Sequence, residues 1–148
     1  MRAPYQILAI PYQIADGKPV FCVLHRADCD QWQFVAGGGE DDETPQEAAI
    51  REISEEAGIF SAKVLRLASM CYIPAGVISE DRRIGWPANT FVIPEYAFAF
   101  LCDSDPILSH EHDRFLWLDY ESASKLLQWD SNRTALYELS CRLRSNIQ

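Results

Sequence analysis

Residues 37–59 read Gly37-Gly38-Gly39-Glu40-Asp41-Asp42-Glu43-Thr44-Pro45-Gln46-Glu47-Ala48-Ala49-Ile50-Arg51-Glu52-Ile53-Ser54-Glu55-Glu56-Ala57-Gly58-Ile59. The middle of this stretch is a helix with both ends marked. Thr44 is a cap, Pro45 suits the first helical position, and Glu47 stands three residues after Thr44 as the partner in a capping box. Gly58 supplies the left-handed residue that stops the helix, so the spacing predicts a helix over 45–57. Ala49, Ile50, Ile53 and Ala57 recur at intervals of three and four, which makes one face apolar and requires a sheet beneath it.

The opposite face is acidic. At about 100° per residue, Glu52, Glu55 and Glu56 fall within one arc, with Glu52 and Glu56 a turn apart. Like charges at that spacing repel, and an ordinary solvated helix would interleave them with Lys or Arg. Arg51 is the one base between residues 40 and 56, against eight acids. It lies four residues before Glu55 and four after Glu47, so it is expected to hold Glu55 while Glu52 and Glu56 stay free for a cation. The three glycines at 37–39 read as a loop that lets backbone approach metal and phosphate closely.

From Gly37, five free positions lead to Glu43 and seven more to Arg51-Glu52-Ile53-Ser54-Glu55-Glu56-Ala57-Gly58-Ile59. Every fixed position of the Nudix box is filled, a coincidence expected by chance in fewer than about one in a million chains of this size. The sequence therefore resembles a Nudix hydrolase. That resemblance implies an α/β/α sandwich with a mixed, mostly antiparallel sheet, and hydrolysis of a nucleoside diphosphate linked to another group. It also implies Mg²⁺, with Mn²⁺ as a substitute, held by Glu52, Glu55 and Glu56 with Gly37 beside them, and Arg51 orienting a glutamate. One departure is Ala36, where many members carry proline.

Working outward, β-branched and aromatic runs predict strands near 5–14, 19–26, 32–36, 63–73, 90–102 and 114–118. Asp16-Gly17 between the first two predicts a hairpin. Helices are expected at 121–128 and 132–145, and the 148 residues should form one domain, a mixed sheet flanked by helices. Glu111-His112, Phe115-Leu116-Trp117-Leu118-Asp119 and Trp129-Asp130-Ser131-Asn132-Arg133 resemble the Nudix branch acting on dihydroneopterin triphosphate and on nucleoside triphosphates such as dATP. In that branch a glutamate before the last strand completes the metal site, which here is Glu111. His112 either approaches the phosphates or is a surface histidine. Ser131 either caps a helix or binds substrate, and Arg26 either reaches a phosphate or ends a strand. The long segment 74–89 carries Arg82, Arg83 and Trp86, two phosphate-pairing groups and a flat ring for a purine or pteridine; the other reading packs Trp86 on the domain. Trp32-Gln33-Phe34 also resembles dinucleoside polyphosphate hydrolases, and a silent nucleotide-sensing domain is the alternative of a different class.

Composition sets limits on this reading. The net charge is −9, from 13 Lys plus Arg against 22 Asp plus Glu, and residues 40–56 carry seven of the nine. A surplus of that sign repels a polyanion, so the expected partner is a small nucleotide-like molecule and not a nucleic acid. The longest apolar run, Tyr96–Cys102, is about a third of a membrane span, so no membrane partner is expected. Five scattered cysteines without a C-x-x-C pair, and an N-terminus unlike a secretory signal, imply free, mostly buried thiols in the cytoplasm.

Overall fold

The computed structural model describes residues 1–147. Its frame is a seven-stranded, mostly antiparallel sheet: β1 (Arg2–Ala15), β2 (Lys18–Arg26), β3 (Trp32–Gln33), β4 (Val35–Glu40), β5 (Val64–Pro74), β6 (Val92–Leu101) and β7 (His112–Leu118). Helix α1 (Pro45–Ala57) follows β4, while α2 (Tyr120–Leu126) and α3 (Asp130–Ile147) follow β7. The β1–β2 turn is Asp16-Gly17, both at positive φ, the two-residue geometry whose twist matches the flanking strands.

Strand β1 is the spine. One edge pairs in parallel with β6, from Gln6 opposite Glu95 to Tyr12 opposite Leu101. The other edge is shared, with Tyr12–Ala15 on β2 and Gln6–Ala9 on β4. The expected single strand 32–36 is therefore two pieces. Trp32 and Gln33 pair with β2, the chain crosses at the fully buried Phe34, and Val35 onward pairs with β1. Gly37–Gly39 are strand residues, not the expected loop. The reason is crowding: a Cβ on Gly37 would run into the Glu52 carboxyl, and one on Gly38 into the Arg2 guanidinium.

Alternation along β1 divides the core in two. Ile7 and Ala9 face α1 with Ala49, Ile53, Phe98 and Phe100, whereas Leu8 and Ile10 face α2 and α3 with Ala123, Leu136 and Leu139. A strand buried on both faces reads as an unbroken apolar run, as 7–10 and 96–100 do. At the register break in β5 between Arg66 and Met70, the backbone N–H groups of Ala68 and Ser69 donate to Glu138 of α3 at 2.7 Å each, which ties that helix to the sheet.

The cap of α1 is as its residues predict. The Thr44 hydroxyl accepts from Glu47 N–H at 3.2 Å, the Glu47 carboxylate accepts from Thr44 N–H at 3.0 Å, and Gly58 ends the helix at φ 70°. Helix α2 stops two residues before the expected 128, because Leu127 leaves to bridge Trp32 and enter the core. Helix α3 starts at Asp130, two residues before the expected 132, so Ser131 lies inside its first turn. The stretch 74–89 holds two short 3₁₀ turns, Ala75–Val77 and Glu80–Arg82. All five cysteines are free, but only Cys22 and Cys102 are buried, fewer than expected. No helix among the described residues is long and apolar enough to cross a membrane.

Ile53 joins the two roles of α1, since it is fully buried one turn before Ala57 and next to Glu52. Ile53→Ala is expected to cost about 2–5 kcal/mol and to lower Tm by roughly 5–15 °C in a thermal melt. A smaller shift would mean that α1 is not anchored through this face.

Candidate active site

Arg51 organises the acidic helix. Its Nε and one terminal nitrogen donate to the two oxygens of Glu43 at 2.8 and 3.0 Å, and the same terminal nitrogen donates to the Gly38 carbonyl at 2.8 Å. The other terminal nitrogen donates to Glu52 at 3.0 Å and Glu55 at 3.2 Å. The expected tie to Glu55 is therefore present, but it is one of four. Glu47 stays in its capping box, and the bidentate partner is Glu43, which also accepts from Glu40 N–H at 2.8 Å. Glu43 is held ionised by this guanidinium, and the pKa of Arg51 is raised most by Glu43.

Beside this network lies a cavity of about 550 Å³. Glu52, Glu56 and Glu111 line it with Gly37, and so do Arg2, Arg26 and Arg82. Elsewhere on its wall are Gln6, Glu95, Trp129, Ser131 and Asn132. The cavity is thus acidic where α1 meets β4 and carries arginines from three separate segments. Glu55, more than half exposed, stands outside it on the helix's outer edge.

Glu56 is 2% exposed and has one weak partner, the Ala36 N–H at 3.4 Å. Its other oxygen is buried without any partner. Burial first, then the neighbouring Glu52 and Glu111 carboxylates, pushes its carboxyl up to about 10. Burial also raises Glu52. His112 lies behind Glu56, its Nδ1 3.7 Å from a Glu56 oxygen and its Nε2 3.1 Å from the Gln33 amide. Burial and then Arg26 bring that imidazole down to about 4, so it is neutral at pH 7 and gives Glu56 no counter-charge.

This chemistry fits a divalent cation. An orphaned carboxylate oxygen, two crowded acids and a glycine whose missing Cβ leaves room for the Glu52 carboxyl are what a hard cation with oxygen ligands satisfies. Among the described residues, however, no three acid, histidine or cysteine side chains already converge as a closed ligand set.

The other sequence-nominated residues divide. Arg26 lines the cavity but is clamped by Asp28 through hydrogen bonds of 2.9 and 2.6 Å. Arg82 and Ser131 line it as well, whereas Arg83 does not. Trp86 lies outside: it packs on Ala75, Ile78 and Ile93, and its indole N–H donates to the Arg2 carbonyl at 2.7 Å. The packing alternative is therefore where the structure puts this ring. His112, nominated for the phosphates, is 3% exposed beneath the floor and is not a lining residue. Sequence reasoning missed Gln6 and Glu95, which sit in expected strands, and Arg2, which precedes the expected strand 5–14; Trp129 lies in the C-terminal resemblance but is given no site role there, its position before α3 being the available signal.

The model of the NUDIX domain family matches residues 7–139. A Listeria monocytogenes protein assigned to the NUDIX hydrolases has a crystal structure that superposes with a TM-score of 0.85 at 45% identity, covering 98% of this chain and 97% of that one. The dihydroneopterin triphosphate diphosphatase of Escherichia coli K12 is 30% identical over 137 residues, 91% of each chain. The RNA pyrophosphohydrolase of Halorhodospira halophila is 35% identical over 112 residues, 71% of this chain and 61% of its own length.

The raised carboxyl of Glu56 carries a sign for stability. The folded state keeps a proton that the unfolded chain releases above the ordinary carboxylate value of 4.5, so metal-free stability falls as pH rises through the window between 4.5 and about 10. In chelator, Glu56→Gln should flatten this fall and melt above the parent at pH 8. A parallel pH profile in the two proteins would show that Glu56 is not the buried proton holder.

Proposed function

This chain belongs to the Nudix family and is a Nudix hydrolase, and from that premise we propose that it cleaves the α–β pyrophosphate bond of a small triphosphate. The substrate is of the dihydroneopterin triphosphate or dATP type, and the products are the monophosphate and pyrophosphate. The observation that carries this reading is the composition of one cavity: carboxylates where α1 meets β4, arginines beside them, and an indole with polar neighbours elsewhere on the wall. A polyphosphate needs the first two, and a flat heterocycle needs the third. The 30% identity to a dihydroneopterin triphosphate diphosphatase supports the same substrate class.

Glu52, Glu56 and Glu111, with Gly37 alongside, are the residues that would hold Mg²⁺ or Mn²⁺. Once bound, the cation would neutralise phosphate oxygens and, by polarising them, make the phosphorus more open to attack by water. Glu55, on the outer edge, acts through Arg51: its charge and that of Glu43 keep the guanidinium aligned with Glu52. Arg51 is thus a positioning residue that never meets the substrate. Arg2 and Arg82 supply positive charge to the phosphates, and Arg26 does so with Asp28 fixing its orientation. Burial and then the charge of Arg82 lower Arg2 only to about 10, so it stays protonated at pH 7. Ser131 and Trp129 contact the heterocycle, while Trp86 and Arg83 support the 74–89 segment from outside.

The triphosphate end of an RNA offers the same bond, but a protein of net charge −9 gains little from the rest of such a polyanion. A small free substrate fits better.

Two measurements test this. With Mg²⁺, a panel of dihydroneopterin triphosphate, dATP, dGTP, diadenosine polyphosphates and sugar nucleotides should show turnover on the triphosphates with release of pyrophosphate, and ¹⁸O from water should appear in one product phosphate group. Orthophosphate plus a diphosphate would refute the cleavage site. Turnover confined to diadenosine polyphosphates would move the enzyme to the dinucleoside branch, and none at all would favour a sensor. Arg51→Ala, in turn, is expected to lower kcat about tenfold or more with little change in KM, because the placement of Glu52 and its neighbours is lost while no substrate contact is. A rise in KM alone would put Arg51 on the substrate.

A further inference from the structure

Glu95 is buried to 8% exposure in the wall of the same cavity, and the phosphate chemistry has no use for it. It lies in one row across three strands, since Gln6 of β1 pairs with Gly38 of β4 on one side and with Glu95 of β6 on the other. Two strand spacings put Glu95 roughly 10 Å from the glycine strand that flanks Glu52. On this side the cavity continues into a groove lined by Cys71, Ala97, Trp129 and Ser131, away from the carboxylates of α1.

Burial raises the Glu95 carboxyl, while the Ser131 hydroxyl and the Cys71 thiol, whose Sγ is 3.9 Å from an oxygen of Glu95, act to keep it ionised. No arginine, lysine or histidine pairs with it among the described residues. Facing a ligand's N–H donors, which favour its charged form, such a carboxylate without a cation beside it presents two acceptors and no donor. Its complement is a pair of adjacent N–H donors on a flat edge. Guanine and the pterins carry that pair, the lactam N–H beside the 2-amino group. Adenine does not: beside its amino group it shows a ring nitrogen lone pair, which would face the carboxylate unpaired.

We propose that Glu95 is the specificity-determining residue of this cavity, accepting the lactam N–H and 2-amino N–H of a guanine- or pterin-type base. Trp129, half exposed at the cavity wall, stacks on the ring, and the buried Asn132 offers an amide donor to the neighbouring ring carbonyl. This rests on the triphosphate reading above and narrows it, from any heterocycle to one with the 2-amino-oxo edge.

The test is Glu95→Gln, which keeps size and exchanges one acceptor for a donor. An amide presents a donor and an acceptor side by side, the complement of the adenine edge, so selectivity should invert. In the parent, kcat/KM should favour dGTP and dihydroneopterin triphosphate over dATP. In Glu95→Gln that ratio should fall about tenfold or more, the scale of a lost hydrogen bond to a charged group, with dATP itself improving. A structural role would lower all substrates together, and that result, or an unchanged ratio, would overturn the proposal. Calorimetric titration of GMP and AMP in chelator separates this inference from the catalytic one. Preference for GMP in the parent that is lost in Glu95→Gln supports the assignment even if no triphosphate turns over, and equal binding of both by the parent removes it whatever the turnover.

Discussion

The bidentate pair between Arg51 and Glu43 holds the site together, because it joins three pieces of chain that otherwise have little reason to meet. Glu43 ends the turn after β4, Arg51 lies two turns into α1, and the Gly38 carbonyl belongs to the strand itself. An exposed pair of this kind contributes little, but this one is about four-fifths withdrawn from solvent on both partners and shares its donors with Glu52 and Glu55. One cation thereby offsets repulsion among acids that would destabilise an isolated helix. The arrangement leaves Glu56 out. It faces the interior with no counter-charge among the described residues, so the helix is electrostatically settled along its outer edge and unsettled at a carboxyl that lines the cavity.

The glycine strand shows why this works only with a particular backbone. Glu52 fits because Gly37 has no Cβ, and Arg2 fits because Gly38 has none. The same two residues continue the ladder with Ile7 and Gln6 of β1. Glycine weakens a strand interior, and here it does so to let side chains from α1 and from the start of β1 lie flat against the sheet. Close backbone approach and a regular ladder are thus compatible, which a reading of three glycines as a loop does not anticipate.

What could be read from the residues and what could not differ in range. The capping box, the Gly58 stop, the Asp16-Gly17 turn and the acid face of α1 are all local, each settled within a few residues, and each stands where its spacing predicts. The division of 32–36 into β3 and β4, the early end of α2 and the placement of Trp86 each depend on a partner outside the segment itself: Val35 on Ala9, Leu127 on Trp32, and the Trp86 indole on the Arg2 carbonyl. Trp86 illustrates the limit. Its loop, its neighbouring arginines and its flat ring suit a substrate contact, but a small apolar cluster at Ala75, Ile78 and Ile93 and the free carbonyl of Arg2 give the ring and its N–H a better place. Trp129 has the same chemistry, and the chain brings it to the cavity because Leu127 is pulled into the core two residues earlier.

Glu95 was invisible for a different reason. It lies beside Tyr96-Ala97-Phe98-Ala99-Phe100, inside the expected strand 90–102, and a single acid in such a strand carries no local sign of a site. Pairing decides otherwise. Parallel registry with β1 draws Glu95 level with Gln6, and Ser131 and Asn132 at the start of α3 line the same cavity, so a strand residue becomes part of a cavity wall. Burying a carboxyl there costs stability that the fold does not recover through an ion pair. On the inference drawn above, a group retained at such a cost, and opening onto a cavity whose α1 carboxylates lie two strands away, would find its compensation in the ligand. Under the proposed reading, the cavity thus carries two separate carboxyl requirements, one for a metal ion at α1 and one for the N–H edge of a base at β6.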